Sequence, residues 1–406
     1  MKIAVIKQPF SNHGDESAHK AFMHSLLKVF PEYQFDVLFI GAPQYHIDAI
    51  RVAGANYINI SSSRGWGRMQ KIGFKTGFFS LSFLQPSLRQ FKNLLKKYDI
   101  VICAPGGICM GGFMNWDHIW QLTVAKRLHK PIFYWGRSIG PFTDEDFNHR
   151  IFKKYSIELL RYFSFISLRD SKSITIAKEL GIDCVETVDS AFLEKPVCEI
   201  PESVKNIIDN SKYIVFVPNE LKWHYKYRNT SKERIDSFNL KILSIIFSTY
   251  PDIKVFLIPQ LYKAKITDYE YFKYLQEKFD NNNVYVLEEE TNSDIQQKII
   301  SDAQFVIGGR YHSVVFALNN QVPFISLSYE HKMTGLLEKL NLKHRLVEIQ
   351  DIFDEKNSEL YDDALNKISS LLDSNDKCLP TISPVQIAKE AFNKMVDKIK
   401  SMEENI

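Results

Sequence analysis

The chain has 406 residues, 45% hydrophobic and 24% charged, with a formal net charge of +3 at pH 7. That length supports two or three domains with sizeable cores, and the composition excludes a disordered or collagen-like chain. The small net charge argues against a general nucleic-acid binder, and no apolar run reaches the roughly 18–20 residues of a spanning helix. The opening MKIAVIKQPF reads as a strand rather than a secretory leader. The cysteines are scattered with no C-x-x-C pair, which suits a reducing compartment. A cytoplasmic location is therefore expected.

Short β-rich runs alternate with helical stretches, the pattern of an α/β protein with mainly parallel sheets. In the first half, strands are expected at 2–7, 34–40, 99–104, 131–135, 163–168 and 184–188. Helical patterns fall at 16–30, 115–129, 144–161 and 171–180, the last stopped by Gly181. Alternation breaks after Asp189. Residues 194–211 hold Pro196, Pro201 and mixed charge, and are read as a linker. It then restarts, with strands at 213–218, 254–259, 284–287, 305–308 and 323–327. Helices are expected at 231–249, 269–279, 294–301, from about 313, and at 332–340. The expected organisation is two doubly wound Rossmann-like domains, 1–193 and 212–375. A helical extension, 376–406, is expected to pack back on the first domain.

Charge is unevenly spread. Residues 49–98 contain no Asp or Glu but nine Lys and Arg, leaving a formal −6 on the rest of the chain. Trp66, Phe74, Phe78, Phe79 and Phe83 lie among those cations. A basic, aromatic surface suits an anionic membrane face, a lipid-linked substrate or a phosphorylated ligand; the plainer reading is a solvated basic face.

Ligands of open α/β sheets bind beyond the carboxyl ends of the strands, so the residues after each strand matter most. Asn12-His13-Gly14-Asp15-Glu16 leads into the first helix, where backbone donors can meet an anion, or where Asp15 simply caps. The stretch 105–112 (PGGICMGG) follows a strand; its glycines, among them Gly106 and Gly107, permit close backbone approach to a ligand or a plain turn. It lacks the G-x-G-x-x-G and Walker patterns. Arg137-Ser138 follows the apolar run at 131–135, where a guanidinium could clamp a phosphate or carboxylate. Asp189 ends the sixth strand. The stretch 223–228 (WHYKYR) is aromatic and basic, fit for a sugar or a surface loop. The strongest signal is Gly308-Gly309-Arg310-Tyr311-His312-Ser313: a strand, a glycine turn, a cation and a titratable imidazole at a helix start. Glu330 and Lys332 follow the next strand.

These blocks carry a family resemblance. The segments 309–318 (GRYHSVVFAL) and 322–332 (VPFISLSYEHK), with 12–16 (NHGDE), 105–112, 137–142 (RSIGPF) and 166–170 (ISLRD), resemble the polysaccharide pyruvyl transferases in family order. The resemblance implies a GT-B-like fold with the site in an interdomain cleft, the first domain on the acceptor side and the second on the donor side. It implies phosphoenolpyruvate as co-substrate, with no cofactor or metal. The acceptor it implies is a sugar of a cell-surface glycan or its lipid-linked precursor. Arg310, Arg137 and Lys332 would then clamp the donor's two anionic groups and His312 would transfer the proton. Glu330, His13 and Asp15 are reserves, and Asn12, Gly106, Gly107, Ser138 and Gly309 contact substrate. Two other readings stay open: a nucleotide-sugar glycosyltransferase of GT-B type, and a non-catalytic glycan-binding protein.

Overall fold

Strands buried on both faces need helical crossovers, and residues 3–6, 100–103, 213–217 and 305–308 are buried throughout. A computed structural model describes residues 1–111, 113–222, 224–262, 267–288, 291–354, 356–374 and 380–403. Gly112, Trp223 and Cys378 lie outside the described residues.

The first sheet contains β1 (Lys2–Ile6), β2 (Gln34–Ile40), β3 (Asn56–Ile60), β4 (Ile100–Cys103), β5 (Gly106–Met110), β6 (Ile132–Ile139), β7 (Phe165–Leu168) and β8 (Val185–Glu186). Its order is β3-β2-β1-β4-β6-β7-β8, with β5 paired to β6, and its ladders are parallel. The second contains β9 (Tyr213–Val217), β10 (Lys254–Leu257), β11 (Val284–Val286), β12 (Phe305–Gly308), β13 (Phe324–Ser328) and β14 (Leu346–Glu348). Its order is β11-β10-β9-β12-β13-β14, again parallel. Strand order reverses between β1 and β4 and between β9 and β12, the two places where such sheets open a crevice at their carboxyl ends.

Local structure departs from the expected pattern in two places. The glycine stretch expected as a loop holds a strand, β5, and Arg137 and Ser138 lie inside β6 rather than after it. The pairing of Gly106 with Arg137 and of Met110 with Ile139 extends the sheet through both. Helices Trp66–Lys75 and Pro86–Leu95 occupy the basic segment.

The chain divides into two compact units. One comprises Met1–Phe10, Ala18–Glu194 and Val385–Ile406; the other comprises Ser11–Ser17 and Lys195–Pro384. Within the stretch read as a linker, Glu202–Ile208 is helical, and Val204 buries its side chain. Helix Pro384–Glu403 returns to the first unit's core. There Phe392 meets the rings of Phe22 and Trp135 edge-on at 6.2 and 6.0 Å, and Ala391, Met395, Val396 and Ile399 are buried beside it. Among the described residues no helix is long and apolar enough to cross a membrane.

Candidate functional site

The second unit gathers its chemistry beyond β9, β12 and β13. Gly309 N donates to Val217 O at 2.7 Å, and Asn219 Nδ2 donates to Gly309 O at 3.0 Å. A Cβ on Gly309 would lie 2.7 Å from that Val217 carbonyl, so the turn after β12 admits glycine alone. The turn delivers Arg310 to the N-cap of helix Tyr311–Asn320, with His312 in its first turn; both are 6% exposed. The Arg310 guanidinium pairs with Asp268 Oδ1. Asp268 Oδ2 in turn accepts from the backbone N–H groups of Gln260 and Leu261, each at 3.0 Å. One carboxylate thus fixes both the cation and the turn after β10.

Glu330 caps helix His331–Lys339 by position, and Lys332 Nζ reaches its Oε1 at 2.7 Å. Burial pushes the Glu330 carboxyl up, but the Lys332 ammonium and hydrogen bonds from Lys332 and Tyr329 outweigh it. The result is a fall from 4.5 to about 2. Lys332 also sits 5.4 Å from the Tyr311 ring centre, and Tyr311 meets the His312 ring edge-on at 5.1 Å. Tyr329, fully buried, links the pairs: burial and Glu330 drive its phenol far up, while Arg310 opposes them. His224 stands edge-on to Tyr329 at 5.9 Å, and burial lowers its pKa.

The segment Ser11–Ser17 belongs to this second unit, although it follows β1 in sequence. Asn12, not Asp15, caps helix His13–Val29: Asn12 Oδ1 accepts from Gly14 N at 2.7 Å and Asp15 N at 3.4 Å. Asp15 falls in the first turn. His13 is buried, stacks on Tyr262 at 4.2 Å, and places Nδ1 2.8 Å from Glu16 Oε2. A Cβ on Gly14 would fall 1.8 Å from His312 Nδ1, so this glycine makes room for the imidazole. Residues 11–17 and 309–332 therefore belong to one unit and meet at Gly14 and His312; Asn12, Asp15, Gly309, Arg310, Glu330 and Lys332 all lie in that unit. His224 belongs to the stretch 223–228 that the sequence offers as a sugar or surface loop, whereas Asp268 and Asn219 carry no such mark. An acidic residue at the start of the helix expected at 269–279 was the only signal for Asp268.

Arg137, Ser138, Gly106 and Gly107 lie in the first unit. The expected anion clamp is a brace. Arg137 is fully buried, and its Nε donates to Ala104 O at 2.6 Å. Its other donors reach Lys7 O, Gly107 O and Cys109 Sγ. Those acceptors sit after β1 and β4 and within β5, so the guanidinium ties three strands together where main-chain carbonyls would otherwise be orphaned. Ser138 is also fully buried. Asp189 pairs with Arg169 and accepts from Ala191 N at 3.0 Å. The same unit holds an open cavity of about 780 Å³ lined by Trp66, Gln70, Lys71, Phe113, Trp116 and Asp117. Asp117 pairs with Lys7, directly after β1, and accepts from Gln70 Nε2 at 2.7 Å, which places this cavity at the carboxyl edge of the sheet.

A family model described as polysaccharide pyruvyl transferase matches residues 12–331. The amylovoran biosynthesis protein AmsJ of Erwinia amylovora is 25% identical over 287 residues, 69% of this chain and 68% of that one. Among solved structures, UDP-GlcNAc 2-epimerase from Methanocaldococcus jannaschii has a TM-score of 0.59 at 13% identity, covering 99% of this chain and 100% of its own. S. aureus MnaA, in its UDP co-structure, has a TM-score of 0.61 at 12% identity, covering 100% and 97%. At such identities these likenesses show the fold alone: two parallel-sheet α/β domains of the GT-B type. With most of its length matched by the family model, the chain belongs to the polysaccharide pyruvyl transferase family.

Proposed function

We propose that the chain acts in polysaccharide biosynthesis by transferring the pyruvyl group of phosphoenolpyruvate to a sugar of a cell-surface polysaccharide or its lipid-linked precursor, as a ketal. The observation that carries this reading is the pair of oriented cations beside a buried imidazole: Arg310 on Asp268, Lys332 on Glu330, and His312. Phosphoenolpyruvate presents a phosphate and a carboxylate, and two cations held in place before it arrives lose little freedom on binding it. His312 gives a proton to the methylene carbon, which makes C2 electrophilic. One sugar hydroxyl adds to C2, and a second displaces phosphate from C2 to close the ketal. Of the two hydroxyl protons, one restores His312 and the other leaves with the phosphate. We assign the acceptor sugar to the aromatic cavity of the first unit, where its rings can stack on Trp66 and Phe113 while the partly exposed Asp117 carboxylate accepts from a hydroxyl. The name of AmsJ, an amylovoran biosynthesis protein, supports the polysaccharide setting.

Incubation with phosphoenolpyruvate and candidate free or lipid-linked glycans should release inorganic phosphate and add one pyruvyl mass to the acceptor. His312→Ala and Arg310→Ala should each lose at least ~10²-fold in turnover, about 2–3 kcal/mol of transition-state stabilisation. Nucleotide release from a nucleotide sugar, with none of phosphate from phosphoenolpyruvate, would favour the glycosyltransferase reading instead.

A further inference from the structure

Three large apolar side chains stand exposed in a short stretch of the first unit. Phe78 and Leu84 are each 70% exposed and Leu81 39%. The stretch Phe79–Leu84 is a 3-10 helix with Phe78 at its N-cap. At three residues per turn, positions 78, 81 and 84 fall on one line. Phe79 and Ser82 point the other way, buried at 3% and 0% exposure. Ser82 Oγ donates to Phe79 O at 2.8 Å and accepts from Trp120 Nε1 at 3.0 Å, which pins the turn to the core. The outward ridge is therefore held outward by the packing of its inner edge.

Cations surround the ridge. Lys92 Nζ lies 4.4 Å from the Phe83 ring centre and the Arg127 guanidinium 4.5 Å from that of Phe79, so both pack on the same turn. Lys71 and Lys75 precede it and Arg89 follows it, all exposed, and no acidic residue occurs anywhere between positions 49 and 98. Scattered exposed leucines are ordinary, but an apolar line bordered by cations of one sign is not. Aromatic and leucyl side chains that enter the headgroup boundary, with lysines and arginines reaching phosphates around them, are the pattern of a peripheral membrane contact.

We propose that the ridge Phe78, Leu81 and Leu84, with Lys71, Lys75, Arg89 and Lys92, docks the chain onto an anionic phospholipid bilayer. The fit is one of charge: a neutral bilayer offers the apolar layer but no counter-charge, and an acidic bilayer offers both. The contact is independent of the donor side of the pyruvyl-transfer reading, since it involves neither His312 nor Arg310; Lys71 alone is shared with the lining of the cavity assigned to the acceptor.

The test uses the full chain with phosphatidylcholine vesicles, with and without phosphatidylglycerol, in a flotation assay at low and high salt. The expected result is retention on the acidic vesicles at least ~10-fold above the neutral ones, weakened by salt. The double variant Phe78→Ser, Leu84→Ser should lose that retention, and Lys71→Gln with Lys75→Gln should weaken it on acidic vesicles. All these side chains are exposed, so circular dichroism should match the wild type. Equal retention on both vesicle types, none on either, or full retention by the double serine variant would overturn the proposal. So would a ridge that serves a second copy of the chain, seen as a dimer that the serine variant dissolves in sedimentation velocity while vesicle retention is unchanged.

Discussion

Glu330 is only partly exposed, yet its carboxyl stays ionised because Lys332 and Tyr329 outweigh the desolvation, and its pKa falls from 4.5 to about 2. A group depressed on folding stabilises the folded state above its unfolded pKa, and that contribution is lost as pH falls through the folded one. Near pH 6 the wild type should exceed Glu330→Gln in unfolding free energy by at most roughly 3 kcal/mol. The margin should narrow below about pH 4.5 and close near pH 2, read from urea unfolding at several pH values. A margin unchanged between pH 6 and pH 3 would count against the pairing. Glu330 and Lys332 were legible in the sequence because they sit two apart directly after a strand. Asp268 was not, because it lies 42 residues before the Arg310 it holds, and no local pattern reports a partner across that separation. Arg137 is legible as a residue, but its role is not. Its position in an apolar run suggested a cation at a strand end, whereas the strand continues through it to Ile139 and buries it among carbonyls.

At the scale of elements, buried strands were easy to see because residues apolar on both faces leave unbroken apolar runs. β5 was hidden because Gly106 and Gly107 weaken any strand signal, and only pairing with β6 reveals it. Helix Trp66–Lys75 was hidden in the same way by Gly67 and Gly73. That helix supplies Trp66, Gln70 and Lys71 to the cavity, and Gly67 lines it with nothing within 4 Å of where a Cβ would stand. Gly67→Phe should therefore fill the cavity without disturbing the core, and should if anything favour the helix. If the acceptor sugar binds there, its kcat/KM should fall at least ~10-fold while the apparent KM for phosphoenolpyruvate stays near the wild-type value. Unchanged acceptor kinetics would move the acceptor elsewhere.

At the scale of the whole molecule, two alternating α/β halves were legible from the break after Asp189 and the restart at Tyr213. The exchange of short segments between the units was only partly so. Composition gives Ser11–Ser17 no mark of belonging with residues 195–384, and His13 finds Tyr262 only in the folded unit. Neither unit is thus a single stretch of chain. A fragment of residues 1–194 would bare Phe22 and Trp135, which Phe392 covers. It should bind a hydrophobic dye and unfold without cooperativity, and a peptide of residues 384–403 added in trans should suppress the dye signal. Cooperative unfolding of 1–194 alone, without dye binding, would show that the helix is dispensable to that core.

The returning helix also sets a schedule during synthesis. The strands of the first sheet have all been synthesised by Glu186, but the helix that covers Phe22 and Trp135 begins roughly 190 residues after Glu194, on the order of 10–40 s later at usual elongation rates. The second unit's strands emerge within that interval. Of the two units, the first to be begun is therefore completed after the second, and until then it presents an aromatic face on which nascent-chain chaperones can act.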